Sequence, residues 1–363
     1  MRKIILHLIK KIYYTRYTLH AIRYTLYAIF FILIGCGGTE RKFPDIVWPQ
    51  PPEEPRIKFV ETYQSNLDVQ EESALANLLV GEEVRYVLRK PYGVAADEEG
   101  RVYVSDIGKI FVFDKKNKKL SFLGDEPGSV NLRIPIGIAI SRDGNVYVAD
   151  TANDKIFVYN KNGKYLTTIG AVGEFESPGG LAVDDKRQRL YVVDSKRHNV
   201  KAFSLPDGKL LSTIGKRGKA EEGFNFPTNI ALDSNGNLYV VDTQNFMVKL
   251  FTPDGKLLRT FGQIGDRLGN FVRPKGIAVD SEDNVYIVDA AFNNFQIFNK
   301  EGKLLLFVGD GGTYYGQFFS PAGMAIDKED RIYVVDQLNR RVQVFQYLGE
   351  KWKKKQAAEQ QKK

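Results

Sequence analysis

The chain has 363 residues, with 52 Lys and Arg against 44 Asp and Glu, a net charge of +8, and a single cysteine, Cys36. One cysteine excludes a disulfide framework and any cysteine-built metal site. The positive charge does not mark a nucleic-acid protein: Arg2, Lys3, Lys10, Lys11, Arg16 and Arg23 precede residue 36 without an acid, and residues 350–363 hold six Lys and two Glu. The body between them is left near −2, with no global attraction for phosphate.

In chain order, residues 1–35 read as an export signal. The apolar stretch over residues 24–35 is shorter than the roughly 20 residues that a spanning helix needs. It ends in Leu33-Ile34-Gly35-Cys36, which resembles the lipobox of bacterial lipoproteins. That resemblance implies cleavage before Cys36 and acylation of its thiol. Several acyl chains, at about 0.8 kcal/mol per buried CH₂, would suffice for stable anchoring. Gly37, with no following Asp, resembles an outer-membrane address, so the expected location is the cell envelope of a diderm bacterium, on a side of the membrane the sequence leaves open. Residues 36–55 contain WPQPPEEP and are expected to form an extended, proline-rich spacer.

Residues 56–63 (RIKFVETY) read as a strand, with Ile57, Phe59 and Tyr63 apolar. Residues 64–90 form a connector in which 69–79 have helical composition. Then a segment P-x-G-apolar-A-apolar-D recurs six times: PYGVAAD (Pro91), PIGIAIS (Pro135), PGGLAVD (Pro178), PTNIALD (Pro227), PKGIAVD (Pro274) and PAGMAID (Pro321), spaced 44, 43, 49, 47 and 47 residues apart. Such a period points to a propeller blade or a solenoid unit. Each repeat shows four short apolar runs, in the second repeat at residues 137–140, 146–149, 155–159 and 165–170. Polar turns such as Arg142-Asp143-Gly144-Asn145 join them, as hairpins require. Four antiparallel strands, here named A to D, and no helical pattern predict a blade.

The motifs PxGIAVD, VYVVD and RVQVF resemble the NHL repeat over residues 91–347, which implies an all-β, six-bladed β-propeller. Ser141 in place of Asp, Asn229 in place of Gly and a B–C loop two residues shorter after Asp106 are local departures. The sixth repeat lacks strand D, because Leu348-Gly349-Glu350 runs directly into WKKK. Residues 56–63 are therefore expected to supply it, closing the ring and removing an exposed edge. The propeller is assigned to 56–349 and a basic, disordered tail to 350–363.

Asp106, Asp150, Asp194, Asp242, Asp289 and Asp336 all follow strand B. A ring of carboxylates suggests calcium, yet an Asp entering a loop more simply accepts backbone N–H groups two or three residues on. Tyr103, Tyr147, Tyr191, Tyr239, Tyr286 and Tyr333 in strand B, with Phe113, Tyr159, Phe203, Phe251, Phe298 and Phe345 in strand C, likewise read as packing between blades. Function is sought in what differs between blades. The face carrying the D–A and B–C loops holds Tyr92, Arg133, Arg197, His198, Asn229, Phe246, Arg273, Lys275, Phe292, Tyr314, Tyr315 and Phe319, aromatic and basic residues suited to a binding surface.

NHL-type amidating lyases, which the chain resembles in fold, use histidine-ligated metal. After the signal only His198 remains, read here as a surface histidine, and zinc sites need three or four ligands. Lactonase-like propellers hold a channel cation with Asp, Asn and Glu near the strand A openings, where only Asn229 stands among five glycines. A Ser-His-Asp triad finds no nucleophile motif near His198. The sequence thus favours a non-enzymatic, monomeric binding or scaffold protein without cofactor, docking an envelope protein or a glycan and not nucleic acid. The alternative is a cation-dependent hydrolase or lyase with its site in the central channel.

Overall fold

A computed structural model describes residues 42–70, 85–126, 128–220 and 222–361. The signal, Cys36 and most of the helical segment at 69–79 lie outside the described residues. The described chain from Phe43 onward belongs to one compact unit, and among the described residues no helix is long and apolar enough to cross a membrane.

Six sheets, each ordered A-B-C-D from the axis outward, build a six-bladed propeller. The second blade comprises Pro135–Ile140, Val146–Asp150, Lys155–Tyr159 and Tyr165–Ile169. The innermost strands of the blades are Val94–Ala96, Pro135–Ile140, Pro178–Asp184, Pro227–Leu232, Pro274–Val279 and Pro321–Ile326. They pack so closely around the axis that the glycine of P-x-G has no room for a Cβ. A Cβ on Gly137 would sit 2.1 Å from the Gly179 carbonyl oxygen, and one on Gly276 would sit 2.4 Å from that of Ala322.

Ring closure occurs as expected. Strand Ile57–Tyr63 pairs antiparallel with Arg341–Tyr347, placing Phe59 opposite Phe345 and Tyr63 opposite Val342, with a bulge between Phe59 and Glu61. This strand contributes buried Ile57, Phe59 and Tyr63, so the last blade is completed from the start of the domain. Hydrophobic clusters then fall between successive blades: Tyr103 and Tyr159 share one with strands of blades one and two, while Tyr333 and Phe113 join blades six and one. All twelve repeat aromatics are buried, and each fully buried ring contributes about 2–3 kcal/mol.

Two expectations are corrected. The proline-rich spacer is docked over its second half: Val47–Trp48 pairs with Lys58 and Ile57, Trp48 stands edge-on to Phe345 at 5.6 Å, and Phe43 to Phe59 at 5.8 Å. Three apolar side chains, Phe43, Ile46 and Trp48, outweigh the prolines between them and the strand. The basic tail is helical over Glu350–Gln360. Its Glu, Lys, Gln and Ala are good helix formers, the Glu350 N–H donates to Glu282 Oε1 at 2.9 Å, and Lys353 and Lys355 pair with Glu54 and Glu329.

Candidate functional site

The loops of the D–A/B–C face are held by groups that repeat. Each post-B Asp is buried and ties its own B–C turn to the D–A loop that precedes the blade. Asp289 accepts from the N–H groups of Val272 and Arg273 in one loop and of Ala291 and Phe292 in the other. Asp106 accepts from Arg89, Lys90 and Ile107. The bonds to residues two or three positions on were expected; those reaching back 16–18 residues were not, because they join segments on either side of two strands. Burial raises the pKa of Asp194, Asp242 and Asp336, opposed by these N–H donors.

A second set lies in strand C. Lys249, fully buried, donates to the carbonyls of Ala220 and Gly223 and lies 3.3 Å from Asp242. Gln296 bonds the Gly269 N–H and the Asn270 carbonyl, and Gln343 bonds the Gly316 N–H and the Gln317 carbonyl. In the same loops Phe224, Phe271 and Phe318 fold under Gly215, Gly262 and Gly309, where an added Cβ would lie 2.3–2.5 Å from the ring. The D–A loops of blades four to six are therefore fixed from below by a buried phenyl ring and a buried polar head.

Several residues selected from the sequence belong to this scaffold. His198 is a correction: it is 6% exposed, not a surface histidine. Its Nδ1 accepts from the Phe226 N–H at 3.1 Å and its ring meets the Phe226 ring at 4.5 Å. It also occupies a repeat position, since the residue before strand C is left-handed in every blade: Gly108, Asp154, His198, Phe246, Asn293 and Arg340 all have φ between 50 and 69°. Phe246 packs half-buried against the cluster of blades four and five, and Phe292 is half-buried in its turn. Arg133, Arg197 and Arg273 are exposed, yet each donates to a loop carbonyl, of Ala152, Gly173 and Ala290 respectively.

The remaining candidates divide between two places. Tyr314 and half-buried Tyr315 line a cleft of roughly 390 Å³ on the outer side of blade six, with Ile46, Trp48, Phe307 and Asp310; the Arg341 guanidinium lies over Tyr315 at 5.9 Å. Tyr92 and Lys275 instead meet at the axis. Both are the x of P-x-G, two blades apart, and the Lys275 ammonium spans buried Ala322 to lie 5.7 Å from the Tyr92 ring centroid. Burial, then the neighbouring cations Arg273 and Lys90, push Lys275 down to about 8. Burial raises the Tyr92 hydroxyl. Asn229 is the one opening that carries a side chain where the other blades have glycine, and its Nδ2 is buried without a hydrogen-bond partner.

Beyond Phe319, the sequence did not reveal an apolar rim. Ile107, Ile134, Phe226, Val272, Phe319 and Leu338 are 39–61% exposed, mostly next to the opening prolines or in the B–C turns. Among the described residues, no exposed large hydrophobic lies in an A–B or C–D turn; the others sit on outer strands or on this same face. The only foreshadowing signal is position, an apolar residue one or two places before the proline.

Six four-stranded sheets around one axis, closed by Ile57–Tyr63, define a six-bladed β-propeller. The chain belongs to the SMP-30/gluconolactonase/LRE-like family, whose region matches residues 68–264. NHL repeat-containing protein 2 of Gallus gallus is 33% identical over 91 residues, 22% of this chain and 12% of that protein, so the chain matches only a small part of its curated relatives. Among solved structures, a streptogramin B lyase superimposes with a TM-score of 0.55 at 14% identity, covering 71% of this chain and 93% of that one. An auxiliary nutrient binding protein from Bacteroides thetaiotaomicron gives 0.55 at 15%, covering 71% and 69%. At these identities the likeness is one of fold. The mouth does not fit the divalent cation that lactonase-like propellers hold: it presents the Lys275 ammonium beside Arg273 and Lys90, like charges that would repel a metal, and among the described residues no group of three His, Cys, Asp or Glu is arranged to bind one.

Proposed function

We propose that this chain is a non-enzymatic binding module, monomeric and anchored to the envelope membrane through Cys36, that docks a protein partner on its D–A/B–C face. The observation that carries the reading is the apolar rim on that face, set on loops fixed by the buried Asp, Lys, Gln and Phe residues. Exposed apolar side chains gathered on one face mark an interaction surface, and pre-formed loops lower the ordering cost of binding. The opposite face, built of Asp, Asn, Gly, Lys and Glu turns, offers no comparable surface. The rim favours a protein over a glycan, because four of its six residues, Ile107, Ile134, Val272 and Leu338, are aliphatic and only Phe226 and Phe319 offer a ring for sugar stacking. The alternative of a cation-dependent hydrolase or lyase is disfavoured by the charge at the mouth.

Charge insertion tests the reading. The double variant I134E/F319E, at exposed positions, should fold normally and bind the partner at least about 30-fold more weakly, as loss of a central apolar contact worth about 2 kcal/mol implies. The matched variant N162E/S234E on the other face should bind as the parent does. Equal loss from both variants, or none from the first, overturns it.

A further inference from the structure

We propose that the mouth of the channel is an oxyanion site, in which the Lys275 ammonium receives a carboxylate or phosphate group of the bound ligand. The inference rests on the docking face described above and names the chemistry at its centre. Three observations converge. Lys275 is half-buried, and among the described residues its Nζ finds no hydrogen-bond acceptor and no ion-pair partner, its contact being the Tyr92 ring. The ionised groups acting on it are the cations Arg273 and Lys90, and among the described residues no carboxylate pairs with it. A lysine that is desolvated among like charges is unfavourable unless a ligand supplies the missing charge. Its lowered pKa is the expected signature of that arrangement.

Asn229 is a second unpaired polar group in the ring of strand A openings. In the other blades the P-x-G glycine aims its Cβ at the x residue of the following blade, as Gly137 does at the Gly179 carbonyl and Gly276 at that of Ala322. The Asn229 side chain turns toward blade three, its Oδ1 lying 3.0 Å from where a Cβ on Gly180 would sit. Its Nδ2 is a buried donor with no partner among the described residues. Nearby, Thr228 and Thr243 spend their hydroxyls on each other and on the Pro274 carbonyl, which fixes the backbone that carries Lys275. The Lys275 ammonium, flanked by Arg273 and Lys90 and resting on the Tyr92 ring, is the group complementary to an oxyanion.

The test is a titration of the full-length protein with two probes, sodium acetate and inorganic phosphate, followed by calorimetry and by NMR of ¹³C-methylated lysines. The Lys275 signal should titrate near 8 in the free protein, and a saturating oxyanion at about ten times its Kd should raise that midpoint by about one unit, because binding favours the charged form. Acetate or phosphate acting alone identifies the ligand group as carboxylate or phosphoryl. Lys275→Met should abolish the bound fraction while its thermal midpoint stays at or above the parent's, which separates loss of the site from loss of folding; Lys275→Arg should retain binding. Binding that survives in K275M, or a midpoint unmoved by both probes, overturns the oxyanion site. The docking reading fails separately, through unchanged binding by I134E/F319E.

Discussion

Replacing Phe59 by alanine removes the central side chain of the strand that closes the ring. Phe59 is 1% exposed and touches three rings, Phe345 at 5.7 Å, Tyr315 at 5.2 Å and Phe43 at 5.8 Å. Truncation of a buried phenylalanine costs about 3–5 kcal/mol when the surroundings cannot collapse, and here the cavity is bounded by paired strands on one side and by the docked Phe43 segment on the other. For a ring of about 290 residues that corresponds to a fall of roughly 5–8 °C in Tm. Lys58→Ala, one position away on the same strand, is the control: its side chain is 46% exposed and its ion pair with Asp45 is open to solvent, so the change should stay within about 1 kcal/mol. Urea denaturation with circular dichroism measures both. Because Tyr315 leans on Phe59, the F59A variant should also loosen the outer cleft, visible as faster amide exchange at residues 314–317. Equal melts for F59A and K58A would refute the closure energetics.

Three further outcomes follow from the same structure. Gly137→Ala, which drives a Cβ to 2.1 Å from a backbone oxygen, should cost roughly 3 kcal/mol. Asn229→Gly should change stability by no more than about 1 kcal/mol, since relief of an unpaired buried amide offsets the added glycine entropy; paired urea curves compare the two. Asp242→Ala leaves Lys249 buried without its carboxylate and should cost about 3 kcal/mol or more, with fast exchange appearing in residues 215–220 and 222–225 by hydrogen-exchange mass spectrometry. For pH, Lys275 has a folded pKa near 8, below the ordinary lysine value of about 10.4. The unfolded chain therefore binds more protons between about 8 and 10.4, and this residue's contribution makes stability rise across that window. Urea midpoints measured over that range should rise more steeply for the parent than for K275M, and parallel profiles would remove the buried cation.

The ring was legible because its determinants are local and repeated. P-x-G openings, four apolar runs and a missing last strand suffice to assign Ile57–Tyr63 to blade six, since a sheet edge of known length needs a partner of known pattern. The staple between Asp289 and Val272 was not legible, because the bond crosses 17 residues and two strands. His198 looked solvent-facing from its neighbours Lys196 and Arg197, yet the left-handed turn before strand C points it inward against Phe226. The arginines were credited with binding, although a guanidinium at a loop edge finds the nearest carbonyl first. Trp48 and the helix at Glu350–Gln360 were missed for a related reason: proline content and charge describe a segment alone, whereas both segments are ordered by what they touch. Lys275 was identified as a candidate but not as an isolated cation, a property that only the packing around it defines.

Site-specific photocrosslinking tests the proposed docking face most directly. Photoreactive residues placed one at a time at Phe226 and Tyr314, and as controls at Asn162 and Ser234, are irradiated in intact cells. Adducts of one common mass from the first pair and none from the second are predicted. Adducts formed equally from both faces, or only from Asn162 and Ser234, would contradict it.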